Sequence, residues 1–285
     1  MSKTGLVVEG GGMKCAYNAG ILDKFLDDNI TFDYCIGTSA GAGNIASYIA
    51  GQRDRNLRFY TTHIIEPEYC GLGNFIKHGS YFNLQYVYGT LSNSNGSDAF
   101  DIVSAKKNPA EFTITATDAE TGKVHYFTKD DLKTDDLRVI MATCAIPAMC
   151  KPIEIDGRKY FDGGVSDSIP IEKAIIDGCE KIVVLLSNPR SFYRMPQNFK
   201  PVYHFLLRKY PKIAKRLDNR HTDYRKILAH VYELEKEGKI FVFAPSKVTG
   251  VKTSSSNPDE MQKLYELGLK DYEAGKDALL KYLRV

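Results

Sequence analysis

Short apolar runs alternate with stretches of helical spacing along most of the chain. Apolar and β-branched runs bounded by Gly, Asn or Asp read as buried strands. They predict strands near 4–9, 32–36, 111–117, 124–127, 153–155, 159–161, 181–187 and 240–244. Between them, apolar residues recurring every three or four positions predict helices near 14–27, 40–50, 135–144, 170–178, 201–217, 221–237 and 258–282. The last carries a start signal, with Asn257 as N-cap, Pro258 at the first helical position and Glu260 at the third. This alternation predicts an α/β fold, a mainly parallel sheet covered by helices, with functional loops at the carboxyl ends of the strands.

Three polar, glycine-rich turns follow predicted strands. The first is Gly10-Gly11-Gly12, then Met13-Lys14, after the run 4–9. A glycine run between a strand and a helix suggests an anion site. Cys15 breaks the dinucleotide fingerprint, and no Gly-Lys-Ser/Thr completes a P-loop. What remains is a nest of backbone N–H groups suited to an oxyanion, or else a tight βα turn. The second is Gly37-Thr38-Ser39-Ala40-Gly41, the G-x-S-x-G spelling of a nucleophile elbow, set between a strand and a helix as that motif requires. The third is Asp162-Gly163-Gly164, where an acidic residue could orient or deprotonate a serine. Asp156-Gly157 just before it reads as a hairpin turn.

In this order and spacing the three turns resemble the patatin-like phospholipase family. Its members carry a Gly-rich oxyanion loop, a G-x-S-x-G elbow and a later Asp-Gly-Gly or Asp-Gly-Ala. The stretch Ala142-Thr143-Cys144-Ala145-Ile146-Pro147 is also similar to the family's, and 207–245 resembles the tail of a bacterial subgroup. Lys14 departs from the Arg of many relatives, keeping the charge and losing the planar fork. The resemblance implies a three-layer patatin-like core over 1–190, with Ser39 as nucleophile and Asp162 as its partner in a dyad without histidine. It implies an oxyanion hole from Gly10, Gly11, Gly12 and Met13, supported by Lys14, Gly37, Gly41, Gly163 and Gly164. Such a site hydrolyses lipid acyl esters in the manner of a phospholipase A or lipid esterase and needs no metal or organic cofactor. A non-catalytic lipid-binding protein and an acyltransferase would carry the same residues. A Ser-His-Asp triad stays open too, because His204, His221 and His230 follow Asp162 in the chain; His63, His78 and His125 precede it.

Composition adds bounds. At 285 residues with 43% hydrophobic and 26% charged content, the chain suits a globular enzyme. No run approaches the roughly 18 apolar residues of a membrane span. No apolar leader precedes the first strand, so no signal peptide is expected. The six cysteines include no C-x-x-C pair and read as core residues of a reducing, cytoplasmic protein. Residues 65–109 are rich in Gly, Asn, Ser and Tyr, and form a candidate lid or binding insertion whose Tyr81, Phe82, Tyr86 and Tyr88 could line an acyl pocket. Residues 191–285 read as a helical, basic extension with one late strand, packed on the core as one domain. Within it the charge is uneven: 190–226 hold eleven Lys or Arg against two acids, a local +9, while the whole chain carries +3. Interleaved aromatics there suit peripheral contact with an anionic membrane at its inner face. No motif supports nucleic acid as a partner.

Overall fold

All eight predicted strands form, and they pair in one mixed, mostly parallel sheet. The computed structural model describes residues 2–247 and 250–284; Met1, Val248, Thr249 and Val285 lie outside that description. The strands are β1 (Thr4–Val8), β2 (Tyr34–Thr38), β3 (Glu111–Asp118), β4 (Val124–Thr128), β5 (Ile153–Ile155), β6 (Arg158–Asp162), β7 (Lys181–Leu185) and β8 (Ile240–Phe243). Their order is β5-β6-β3-β2-β1-β7-β8, with β4 also paired to β3. Strands β3, β2, β1, β7 and β8 run parallel; β4 and β6 are antiparallel to β3. The β5–β6 hairpin turns on Asp156 and Gly157, both at positive φ, as the Asp-Gly pair predicts.

Ten α-helices accompany the sheet among the described residues: α1 (Ala16–Asp27), α2 (Ala40–Ile49), α3 (Arg55–Thr61), α4 (Leu72–His78), α5 (Ile102–Lys107), α6 (Arg138–Cys144), α7 (Ile171–Ile176), α8 (Lys200–Leu206), α9 (Pro211–Lys236) and α10 (Pro258–Arg284). The pleat sorts the strand residues between two layers. Leu6, Val8, Cys35, Val183 and Leu185 pack with α1, α2 and α10. Val7, Ile36, Ile182 and Val184 pack with α7 and with Tyr224, Leu228, Val231 and Leu234 of α9. The two C-terminal helices therefore lie on opposite faces of the same sheet.

Two expectations need correction. The helices predicted near 201–217 and 221–237 are cut in the wrong place. The break falls before Pro211, which lacks an N–H and holds Tyr210 outside helical geometry; residues 218–220 contain no breaker, so α9 runs through them. Residues 65–109 are also more regular than their composition implies. They form α4, a π-helical segment at Gln85–Leu91 and α5, and they bury Tyr69, Phe82, Leu84, Val87, Leu91 and Phe100. The Asn257 cap forms as predicted, its Oδ1 accepting from Asp259 N–H (3.0 Å).

Helices α1 and α10 cross with their backbones in contact. A Cβ on Gly20 would run into the Tyr265 carbonyl oxygen, and one on Gly268 into that of Tyr17. Neither neighbour is a flexible side chain, so an added methyl must push the helices apart. Gly268→Ala is expected to lower stability by about 1–3 kcal/mol, read as a lower urea midpoint at unchanged slope. An unchanged midpoint would contradict this close crossing.

Candidate active site

Strand β2 ends at Thr38, and the chain reverses sharply into α2 through Ser39. That residue has φ 55 and ψ −134, a strained conformation for a side chain with a Cβ. Crowding explains the flanking glycines. A Cβ on Gly41 would lie 2.6 Å from the Glu9 carbonyl oxygen, and one on Gly37 2.8 Å from the Ala42 Cα. The turn thus needs glycine on both sides for close backbone approach. Thr143 Oγ1 accepts the Ser39 N–H at 2.7 Å and fixes the elbow.

Asp162 reaches the elbow from the opposite direction, because β6 is antiparallel to β3. Ala116 faces Asp162 across that pair, and Thr115 faces Thr38 across the next. The register therefore delivers Asp162 beside Ser39. Ser39 Oγ donates to Asp162 Oδ2 at 2.6 Å, and Gly164 N–H donates to Oδ1 at 2.7 Å. Gly163 packs directly on the Thr115 backbone. The Asp162 N–H donates to the Ala145 carbonyl (2.9 Å), so the 142–147 stretch steadies both partners. Asp162 is 4% exposed, and Ser39 6%. Burial pushes the Asp162 carboxyl above the ordinary aspartate range; Arg220, the Ser39 hydroxyl and the Gly164 N–H pull it back.

The glycine loop lies across from the elbow. A Cβ on Gly10 would lie 2.9 Å from the Thr38 carbonyl oxygen, so the two turns touch. Among the described residues the N–H groups of Gly10, Gly11 and Gly12 have no acceptor. The Met13 N–H is already taken, donating to the Thr253 carbonyl at 3.2 Å. Lys14 Nζ donates to Asn188 Oδ1 at 2.5 Å.

Ser39 borders two cavities of different character. A small one of about 70 Å³ is lined by apolar and aromatic side chains that include Phe59, Phe82, Leu84, Val87 and Tyr88. Of the four aromatics predicted for an acyl pocket, Phe82 and Tyr88 line it. Tyr81 meets Phe82 edge to face with ring centroids 5.1 Å apart, and Tyr86 instead donates to Glu66 Oε2 (2.6 Å). A polar cavity of about 170 Å³ is lined by Asp162, the glycine loop, Lys14, Asn188, Arg194 and Arg220. No histidine lines either one. His204 faces Asp218 (3.0 Å), His230 faces Glu172 (3.0 Å), and His63 lies between Glu66 and Asp98. No group of three His, Cys, Asp or Glu side chains among the described residues is arranged to hold a metal.

Sequence patterns did not single out Thr143, Arg194 or Arg220 as site residues. Thr143 sits in the family-like stretch; the two arginines sit in the basic segment, where charge was the only signal. That segment is partly turned inward. Arg220 Nε donates to the Gly164 carbonyl (2.6 Å), Arg216 Nε to the Gly122 carbonyl (2.8 Å), and Arg190 pairs with Glu235 (2.6 Å). The local charge is therefore not one continuous basic face.

The patatin-like phospholipase family model matches residues 6–175, and a second model, for a domain of unknown function (DUF6363), matches 210–284. The chain is 27% identical over 277 residues to the uncharacterized protein YjjU of Escherichia coli (strain K12), spanning 92% of this chain and 74% of that one. It is 36% identical over 69 residues to the uncharacterized NTE family protein Mb1092c of Mycobacterium bovis, spanning 24% of this chain and 18% of that one. The crystal structure of VipD from Legionella pneumophila aligns with a TM-score of 0.47 at 11% identity, covering 97% of this chain and 67% of that one. The first family model takes in the glycine loop, the serine elbow and the Asp-Gly-Gly turn in one unbroken match over more than half of the chain, and the chain belongs to the patatin-like phospholipase family.

Proposed function

We propose that this protein is a serine acyl hydrolase acting on lipid acyl esters. The observation that carries the reading is the 2.6 Å contact from Ser39 Oγ to Asp162 Oδ2, held on a strained elbow between an apolar and a polar cavity. Ser39 Oγ attacks the ester carbonyl while Asp162 takes its proton. The negative charge that develops on the carbonyl oxygen falls to the N–H groups of the glycine loop, Gly10–Gly12. The tetrahedral adduct collapses, the C–O bond to the alcohol breaks, and the alcohol leaves with the proton. Water attacks the acyl-serine by the same route and releases the carboxylic acid. A buried carboxylate with a raised pKa is a stronger base than an exposed one, which is how the pair does without imidazole.

A lipid substrate also calls for an interface, and two short helices offer one. Leu72 and Ile76 on α4, with Phe199 just before α8 and Val202 and Phe205 on it, are exposed large apolar residues. The groove between the two helices is lined by Phe75 and Leu206 together with Lys151 and Lys159. Arg208 and Lys209 follow α8 on the exposed side. Apolar prongs among cations suit an anionic bilayer. No helix among the described residues is long and apolar enough to cross one.

Replacing Ser39 by Ala is expected to lower hydrolysis of a p-nitrophenyl acyl ester by about 10³-fold or more and to end labelling by a fluorophosphonate probe. Far-ultraviolet circular dichroism should not change. Near wild-type turnover in that variant would refute the assignment.

Asp162→Asn should be nearly as damaging, since an amide cannot take the proton. The sign of the pH effect follows from the raised pKa. Only the ionised carboxylate is a base, so kcat/KM should fall on acidification, with a midpoint above the ~3.9 of an ordinary aspartate. A rate that stays flat from pH 7 down to about 4 would count against Asp162 as the base.

The combined change Phe199→Ser, Phe205→Ser and Lys209→Glu should weaken binding to phosphatidylglycerol vesicles by about tenfold or more. Hydrolysis of a soluble short-chain ester should change far less. Equal vesicle sedimentation of variant and wild type at low salt would rule out this interface.

A further inference from the structure

The polar cavity beside Ser39 has more positive charge than the chemistry of the dyad uses. Lys14, Arg194 and Arg220 all line it. Lys14 Nζ is held by Asn188 Oδ1 and lies 5.1 Å from the Phe192 ring centroid. Arg220 is held through Nε alone, by the Gly164 carbonyl. The Arg194 guanidinium lies 5.0 Å from the Tyr224 ring centroid, and the backbone beneath it is clamped, the Arg194 carbonyl accepting from Arg225 Nε (2.9 Å) and Nη2 (2.7 Å). None of the three forms an ion pair among the described residues.

The two carboxylates on the same cavity are already engaged. Glu9 accepts from the Ser187 N–H (2.7 Å), Asn188 Nδ2 (3.0 Å) and the Tyr224 hydroxyl (2.8 Å). Asp162 accepts from Ser39 and Gly164. Three part-buried cations thus stand against two carboxylates around one cavity. Burial pushes Arg220 down to about 10, and the like charge of Arg194 adds to the effect; burial also lowers Lys14. Cations crowded in this way are stabilised by an anion placed between them.

We propose that Lys14, Arg194 and Arg220 form a phosphate subsite for the alcohol side of the ester, with the acyl chain in the apolar cavity across Ser39. The subsite rests on the hydrolase reading for its substrate, but not for its binding chemistry. Two guanidinium forks and one ammonium match a tetrahedral anion, and the forks supply directional, charge-assisted hydrogen bonds. Both arginines lie outside residues 6–175, so two of the three cations come from the C-terminal part of the chain. The preferred substrate is then an acyl ester whose alcohol bears a phosphate, as opposed to a neutral acylglycerol.

The test uses the full chain and two soluble esters with one acyl group, 1-butyrylglycerol 3-phosphate and 1-butyrylglycerol. The readout is the ratio of their kcat/KM values at fixed ionic strength, for wild type, Arg194→Gln and Arg194→Lys. Inorganic phosphate is titrated calorimetrically into the same three proteins, with thermal unfolding as the control for folding. Wild type should prefer the phosphorylated ester, and Arg194→Gln should cut that preference by roughly ten- to a hundredfold, as for a lost hydrogen bond to a charged group. Arg194→Lys should fall between, keeping the charge without the fork. Phosphate should bind Arg194→Gln more weakly than wild type. Phosphate binding that depends on Arg194, without any preference between the esters, would assign the site to free phosphate and overturn the head-group role. Equal ester ratios and equal phosphate binding in wild type and Arg194→Gln would overturn the subsite and leave the Ser39 reading intact. If neither ester is hydrolysed and phosphate binding still depends on Arg194, the hydrolase reading fails and the phosphate site stands.

Discussion

The carboxyl edge of the sheet depends on one steric constraint, the meeting of three backbone turns with no side-chain layer between them. Gly41 at the start of α2 presses on the carbonyls that end β1, and Gly10 presses on the carbonyl that ends β2. That contact sets the strained Ser39 turn against the glycine loop, whose Gly10, Gly11 and Gly12 N–H groups have no acceptor among the described residues. The strain persists because it is over-determined: Thr143 holds the Ser39 N–H, and Asp162 holds its Oγ. A methyl group on any of these glycines would pull the pieces apart before it altered any chemistry.

Around that contact the surroundings divide the work. Removing water from Asp162 raises its basicity, while Arg220, bonded to the Gly164 carbonyl, keeps a positive charge near enough to limit the rise. One neighbouring cavity is lined mainly by aliphatic and aromatic carbon, while the other adds Glu9, Lys14, Asp162, Arg194 and Arg220 to its lining. Ser39 sits at the boundary between the two. Long-range packing sets this division, since Arg220 is carried on α9, from a helix that covers the opposite face of the sheet from α1.

That difference in range explains what the sequence reveals. The strands and the three turns are legible because their causes are local: alternation across a pleat, and glycines where a turn must be tight or two backbones must touch. The resemblance of the three turns to the family's implies Ser39 and Asp162 as partners, and their side chains are in hydrogen-bond contact. The single helix through 218–220 was hidden because nothing local distinguishes a solvated helical turn from a loop, whereas Pro211 marks the true start. Helix α3 went unpredicted for a related reason. Its Arg55 looks like a surface residue, yet it is 5% exposed, with its guanidinium bonded to Ser47, Ser92 and the Asp98 carbonyl. Charge counting found the basic segment but could not tell that Arg216 and Arg220 face inward. Those roles are set by partners roughly 60 to 90 positions away in the chain.

The crossing of α1 and α10 has a consequence for how the chain is made. Helix α1 leaves the ribosome well before α10, and its inner surface, including Gly20, is shaped to receive α10. More than 200 residues separate the two. At elongation rates of about 5–20 residues per second, that surface waits roughly 10–50 s for its cover. During that interval the motifs that precede β3 have all been synthesised, but the layer behind them is incomplete. The nascent polypeptide therefore passes through a long stage with an uncovered apolar flank, a surface of the kind that chaperones bind.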